Sequence, residues 1–103
     1  MTNSQFRITA GKAELPPVVT ATGEIDLANL GEFEDALRRA ADDHPAITVD
    51  LSGVTYCDSA AVRALFSIAA SVKLSLTVPA SGPITTVLRI SGLDRIATVT
   101  TVD

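Results

Sequence analysis

Cys57, Asp58 and Ser59 stand in a row just ahead of the run that begins at Ala60-Ala61-Val62, and their types and spacing are the ones in this chain that invite chemistry. A thiol at the start of a helix feels the positive end of the helix dipole, which favours the thiolate and would make Cys57 a redox switch. Its more ordinary role is that of a small apolar filler. A hydroxyl in the first helical turn sits beside backbone N–H groups without intrahelical partners, so a phosphate on Ser59 is tolerated there. That phosphate would add roughly −1.5 to −2 charges to the start of the helix. The more ordinary role for Ser59 is to cap the helix through its hydroxyl, worth ~1 kcal/mol. Asp58 competes for the same cap, and Asp26 has an ordinary role in closing a turn after a strand. Two carboxylates do acid–base work only where a pocket supplies a substrate and shifts a pKa.

Other reactive constellations are missing. His44 stands alone between Asp43 and Pro45, with no second histidine or cysteine at zinc-ligand spacing, and reads as a solvated turn residue. There is no Ser/His/Asp spacing, no glycine-rich phosphate loop and no G-x-S-x-G elbow, so the sequence gives no support to an enzyme, a cofactor or a metal site.

The elements that must position these residues follow from periodicity. Phe6, Ile8 and Ala10 alternate with polar residues as an edge strand, and Gly11-Lys12 turn the chain. After Pro16-Pro17 the run Val18–Leu27 is β-branched and reads as the second strand of a hairpin, with Gly23 marking a bulge or close approach. Leu30, Phe33, Leu37, Ala40 and Ala41 form one stripe of a helix, capped by Asn29 with Glu32 three residues on, acidic early and basic late. Ala46–Leu51 is a central strand, ended by a turn at Ser52-Gly53. Val62, Leu65, Phe66 and Ala69 give the second helix its buried face. Leu74, Leu76 and Val78 alternate up to Pro79 as a strand. A third helix has Ser81 as its cap, Pro83 in its first turn, Ile84, Val87 and Leu88 inward, and Gly92 as its stop. Leu93 tucks back, and Ile96–Val102 is the last strand. The order β-β-α-β-α-β-α-β predicts an α/β fold with a mixed, mainly parallel sheet of four or five strands and helices mostly on one side.

Composition bounds what such a domain does. At 103 residues and 47% apolar, the chain reads as one domain over residues 1–103. One cysteine allows no internal disulfide, and with no leader-like or membrane-spanning stretch the expected setting is the cytoplasm. Eight basic residues are scattered among twelve acidic ones, for a net charge of −4, and few aromatics accompany them. Neither a phosphate-binding stripe nor a base-stacking platform exists, which excludes nucleic acid as a partner, as the apolar spans exclude a membrane.

Three segments, GEIDLANL (Gly23–Leu30), VDLSGVTYCDSAAVRAL (Val49–Leu65) and VLRISGLDRI (Val87–Ile96), resemble in order and spacing the STAS domain of bacterial anti-sigma factor antagonists. The resemblance runs from Val18 to the C-terminus. It implies a partner-switching protein: in that family the unphosphorylated domain docks on an anti-sigma factor that is also a serine kinase, and phosphorylation reverses the docking. The family's acceptor lies two residues after the aspartate of a D-S-S/T-G sequence and falls here on Ala60, with Ala61 in place of the glycine. Ala60 has no hydroxyl, so the candidate acceptor is displaced to Ser59, one residue earlier, or to a nearby Thr. The resemblance places Asp26, Cys57, Asp58, Ser59, Ala60, Ala61 and Val62 on the partner-binding surface. Two other readings stand beside it: a STAS-fold sensor of a nucleotide or small ligand, and a non-enzymatic subunit of a signalling assembly.

Overall fold

A computed structural model describes residues 5–9, 15–42 and 44–102. Five strands, β1 (Gln5–Thr9), β2 (Val18–Ile25), β3 (Ala46–Cys57), β4 (Lys73–Pro79) and β5 (Thr98–Val102), alternate after the second with α1 (Leu30–Ala41), α2 (Ser59–Ala69) and α3 (Pro83–Ser91). The order is the expected one. β1 and β2 pair antiparallel, the rest pair parallel, and the strands lie side by side in the order β1-β2-β3-β4-β5. Right-handed crossovers that all step in one direction put their helices on one face. Burial shows that face: Val19, Ala21 and Ile25 of β2, Ile47, Val49 and Leu51 of β3, and Leu74, Leu76 and Val78 of β4 are buried. Their neighbours Thr20, Thr48, Asp50, Ser75 and Thr77 point the other way and stay half-buried. The sheet therefore has one covered and one open face, and β3 is central as expected.

The helix stripes are those the spacing predicts. Phe33, Leu37 and Ala40 of α1 are buried, Ala36 joins them, and Leu30 and Ala41 pack partly against the core. The Phe33 ring lies 5.5 Å from that of Phe6, tilted by 43°, and fastens α1 to the hairpin. In α2, Val62 and Leu65 are buried, and Phe66 and Ala69 are half-buried. Leu93 is fully buried.

Five expectations are corrected or fall outside view. Ser52-Gly53 does not end β3, which runs on to Cys57. β2 continues to pair there, with Thr22 opposite Gly53 and Ile25 opposite Cys57 across register shifts near Thr20 and Gly23. A Cβ on Gly53 would come within 3.0 Å of the Thr22 side chain, so the glycine serves a close strand approach rather than a turn. Asn29 precedes α1 but does not cap it. Its side-chain oxygen accepts from the Asp26 amide at 3.0 Å and its amide nitrogen donates to the Glu24 carbonyl at 2.8 Å, so it braces the turn instead. Ser81 does not cap α3 either. Gly82 precedes the helix at φ 122°, a backbone region that glycine enters at least cost, and no side chain caps that end. β5 begins at Thr98 rather than Ile96, because a 3-10 turn over Leu93–Arg95 holds the amides of Ile96 and Ala97 on the Leu93 carbonyl. The Ala10 end of the first strand and the Gly11-Lys12 turn lie outside the described residues.

Candidate functional site at the end of the central strand

β2 and β3 finish side by side, Ile25 opposite Cys57, and the Asp58 amide donates to the Ile25 carbonyl at 3.2 Å. This brings Asp26 and Asp58, far apart in sequence, to one end of the sheet. Asp58 is extended at φ −91° and ψ −179°, and its Oδ1 accepts from the Ala61 amide at 3.1 Å. Asp58 is thus the cap of α2, the one of the two residues left open by the sequence, Asp58 and Ser59, that takes the role. A capping carboxylate at a helix N-terminus is worth about 0.5–2 kcal/mol. Ser59 is already helical, the first residue of α2, and its exposed hydroxyl makes no hydrogen bond among the described residues. Asp26 closes its turn, Oδ1 accepting from the Ala28 amide at 3.0 Å.

The other expected site residues divide by depth. Cys57, Ala61 and Val62 are buried, whereas Ala60 is half-buried beside Ser59. Burial pushes the Cys57 thiol up from 9.0 to about 11, and the Asp58 charge next to it adds to the effect. A buried thiol held that high is protonated at neutral pH, the opposite of a reactive thiolate. Iodoacetamide should therefore label Cys57 far more slowly in the folded chain than in urea. An acid whose folded pKa is raised contributes stability that is intact below its unfolded pKa and is lost as pH rises, here across 9.0 to about 11. Urea titrations of wild type and Cys57→Ala should diverge in that window; parallel curves would remove the effect.

Beside these residues α2 and α3 leave an open groove of about 670 Å³. Tyr56, Val62, Phe66, Val87 and Ile90 give it an apolar lining, and Arg63 a cation. Cys57, Asp58 and Ser59 line its β3 end. Ile90 is 80% exposed and Tyr56 50%, large apolar side chains left in water on one surface. Sequence periodicity put Phe66 and Val87 in the core, and it passed over Arg63 and Ile90. The available signal was an isoleucine off the inward stripe of α3, which a single exposed apolar residue does not make conspicuous. His44 is exposed in its turn, as expected, its Nδ1 2.7 Å from the Asp42 carbonyl. Among the described residues no group of three or more His, Cys, Asp or Glu side chains is arranged to hold a metal ion, and no helix is long and apolar enough to cross a membrane.

A sheet covered on one face by three crossover helices, with its second and third strands ending at the start of a capped α2, is a STAS-type α/β fold, and solved structures share it. An anti-sigma factor antagonist from Mycobacterium paratuberculosis is 22% identical with a TM-score of 0.78, the match covering 96% of this chain and 85% of that one. The unphosphorylated form of the anti-sigma factor antagonist SpoIIAA gives 14% and 0.67, over 96% and 90% of the two chains. The phosphorylated form of the Bacillus cell fate determinant SpoIIAA gives 16% and 0.63, over 96% and 92%. No curated protein matches the chain significantly. Residues 8–100 match the family model described as "Mlab, STAS domain", and the chain belongs to this STAS-domain family.

Proposed function

We propose that this chain is a non-enzymatic anti-sigma factor antagonist-like protein, which binds an anti-sigma factor of the serine kinase type in a cytoplasmic partner-switching pathway and escapes phosphate control at the usual position. One observation carries the reading: the apolar groove between α2 and α3 opens beside the Asp58-capped start of α2, where Ala60 presents a methyl group in place of a hydroxyl. Asp26, Cys57, Asp58, Ser59, Ala60, Ala61 and Val62 form the partner-facing end of that surface. The buried ones act by placing the backbone, and Asp58 by fixing the helix start. Alanine keeps the approach to the backbone open. With no hydroxyl at position 60 the complex is set by the amounts of the two proteins rather than by a kinase cycle.

The test is a tagged capture from the native cells with intact-mass analysis of the bait. A kinase-type anti-sigma factor recovered with unmodified bait is the expected result. Phosphate mapped to Ser59 would overturn the constitutive part of the reading and show an acceptor moved by one residue. Neither partner nor phosphate would overturn antagonism. In the recovered complex, Ala60→Ser should turn the chain into a substrate of that kinase, and an A60S protein left unphosphorylated would refute the geometry assumed for position 60.

A second reading, a non-enzymatic subunit of a larger assembly, draws on the matched family's own description, which names Mlab and no anti-sigma factor. The same capture distinguishes it, as a stable complex without any sigma-factor regulator.

A further inference from the structure

The two edges of the sheet are guarded differently. β1 carries Arg7, and α1 lies against it through the Phe6–Phe33 contact. β5 reads Thr-Val-Thr-Thr-Val, with every residue β-branched and none charged or proline. Edge strands ordinarily carry charges, prolines, bulges or a covering element, because a bare row of backbone donors and acceptors pairs with any suitable strand. Among the described residues, β5 has none of these. It pairs with β4 in unbroken register from Ser75↔Thr98 to Pro79↔Val102. Nor does the helix layer reach across it: Thr101 shares the helix side of the strand with Val99, yet it is exposed. Beside Val99 a cleft of about 320 Å³ opens between α3 and the strand, lined by Thr85, Leu88, Arg89 and Asp94.

We propose that β5 is a homodimerisation edge, and that its partner is a second copy of this chain, paired β5 to β5 antiparallel about a two-fold axis through Thr100. This register sets Thr98 opposite the partner's Val102 and Val99 opposite the partner's Thr101, and Thr100 opposite itself. Every pair is β-branched, which favours cross-strand packing, and no like charges oppose each other. That neutrality suits self-pairing in particular, since any charge on the strand would meet its own sign or a neighbour's across the axis. An axis normal to the sheet keeps both helix layers on one side. The joined sheet has ten strands, within the range of about ten that open twisted sheets reach. Pairing of β5 with the β1 edge of another copy would instead leave free edges and grow filaments, and Arg7 guards β1 against it. The α2/α3 groove uses other residues, so dimerisation and partner docking are compatible.

Sedimentation equilibrium over a concentration series tests this with the full chain. Wild type should move from monomer to dimer as concentration rises. Thr100→Lys and Thr101→Lys, on opposite faces of the edge, should each raise the dimer dissociation constant by about tenfold or more, with an unchanged thermal midpoint at concentrations where wild type is monomeric. Ile8→Lys on β1 should leave the equilibrium alone. A wild type still monomeric at millimolar concentration, a dimer indifferent to both β5 lysines, or one weakened by Ile8→Lys alone would each overturn the proposal.

Discussion

Ile90→Lys should weaken capture of the anti-sigma factor by roughly 10- to 100-fold while leaving the fold as stable as before. The side chain is 80% exposed, so the free domain gains little from it. Burying an isoleucine under a partner is worth about 1.5–3 kcal/mol, and that is the stabilisation a lysine gives up. Its ammonium would also sit beside Arg63 in the same groove, a like charge that a covered interface cannot screen. Lysine is the informative choice because Ile90 lies in the last turn of α3, where a cation is favoured by the carbonyl end of the helix. Any loss of binding therefore comes from the groove and not from a damaged helix. Titration calorimetry against the captured partner, paired with thermal unfolding of the free domain, reads both quantities. Unchanged affinity would move the docking surface off the α2/α3 groove.

Phe33→Ala should cost about 3–5 kcal/mol, the usual range for emptying a fully buried aromatic site. Against a typical stability of 5–15 kcal/mol this is a large share. Phe33 has no solvent exposure, and its ring is the contact between α1 and Phe6 of the hairpin. Removing it leaves a cavity and also loosens the packing of α1 on β1, which keeps its pairing with β2. Phe6→Ala, at a half-buried position, should cost less. Urea unfolding followed by circular dichroism measures both, and a Phe33→Ala loss under about 1 kcal/mol would mean that α1 does not lean on the hairpin as described.

What was legible in the sequence is what one face of one element determines alone. The stripes of α1 and α2, the alternation of β4 and the Gly92 stop of α3 all reflect a local choice between core and water, and each is found where the spacing puts it. The departures occur where a second element intervenes. Ser52-Gly53 carries local turn chemistry, and Asp50 Oδ1 does accept from the Ser52 amide at 2.9 Å, yet pairing with β2 keeps the chain extended. Asn29 has a capping side chain, but its oxygen already accepts from the Asp26 amide while its amide nitrogen donates to the β2 carbonyl of Glu24. At the site, the spacing found the start of α2 but could not choose between Asp58 and Ser59, since that choice turns on one backbone angle. The groove was invisible for a related reason: it belongs to no element, being the gap between a residue pair on α2 and another on α3 that tertiary packing alone sets opposite each other.

The order of the strands in space is their order in the chain, and this bears on how the molecule comes to be folded. Every crossover joins immediate neighbours, so no strand waits for a later one to be inserted between it and its predecessor. Loop closure is the main entropic barrier to a parallel sheet, and here each closure spans a single helix. A chain emerging N-terminus first can form the β1–β2 hairpin and then add one βα unit at a time to a growing edge. β5 is the last to arrive, and until it does the bare edge of β4 is the part of the nascent chain most open to the wrong neighbour.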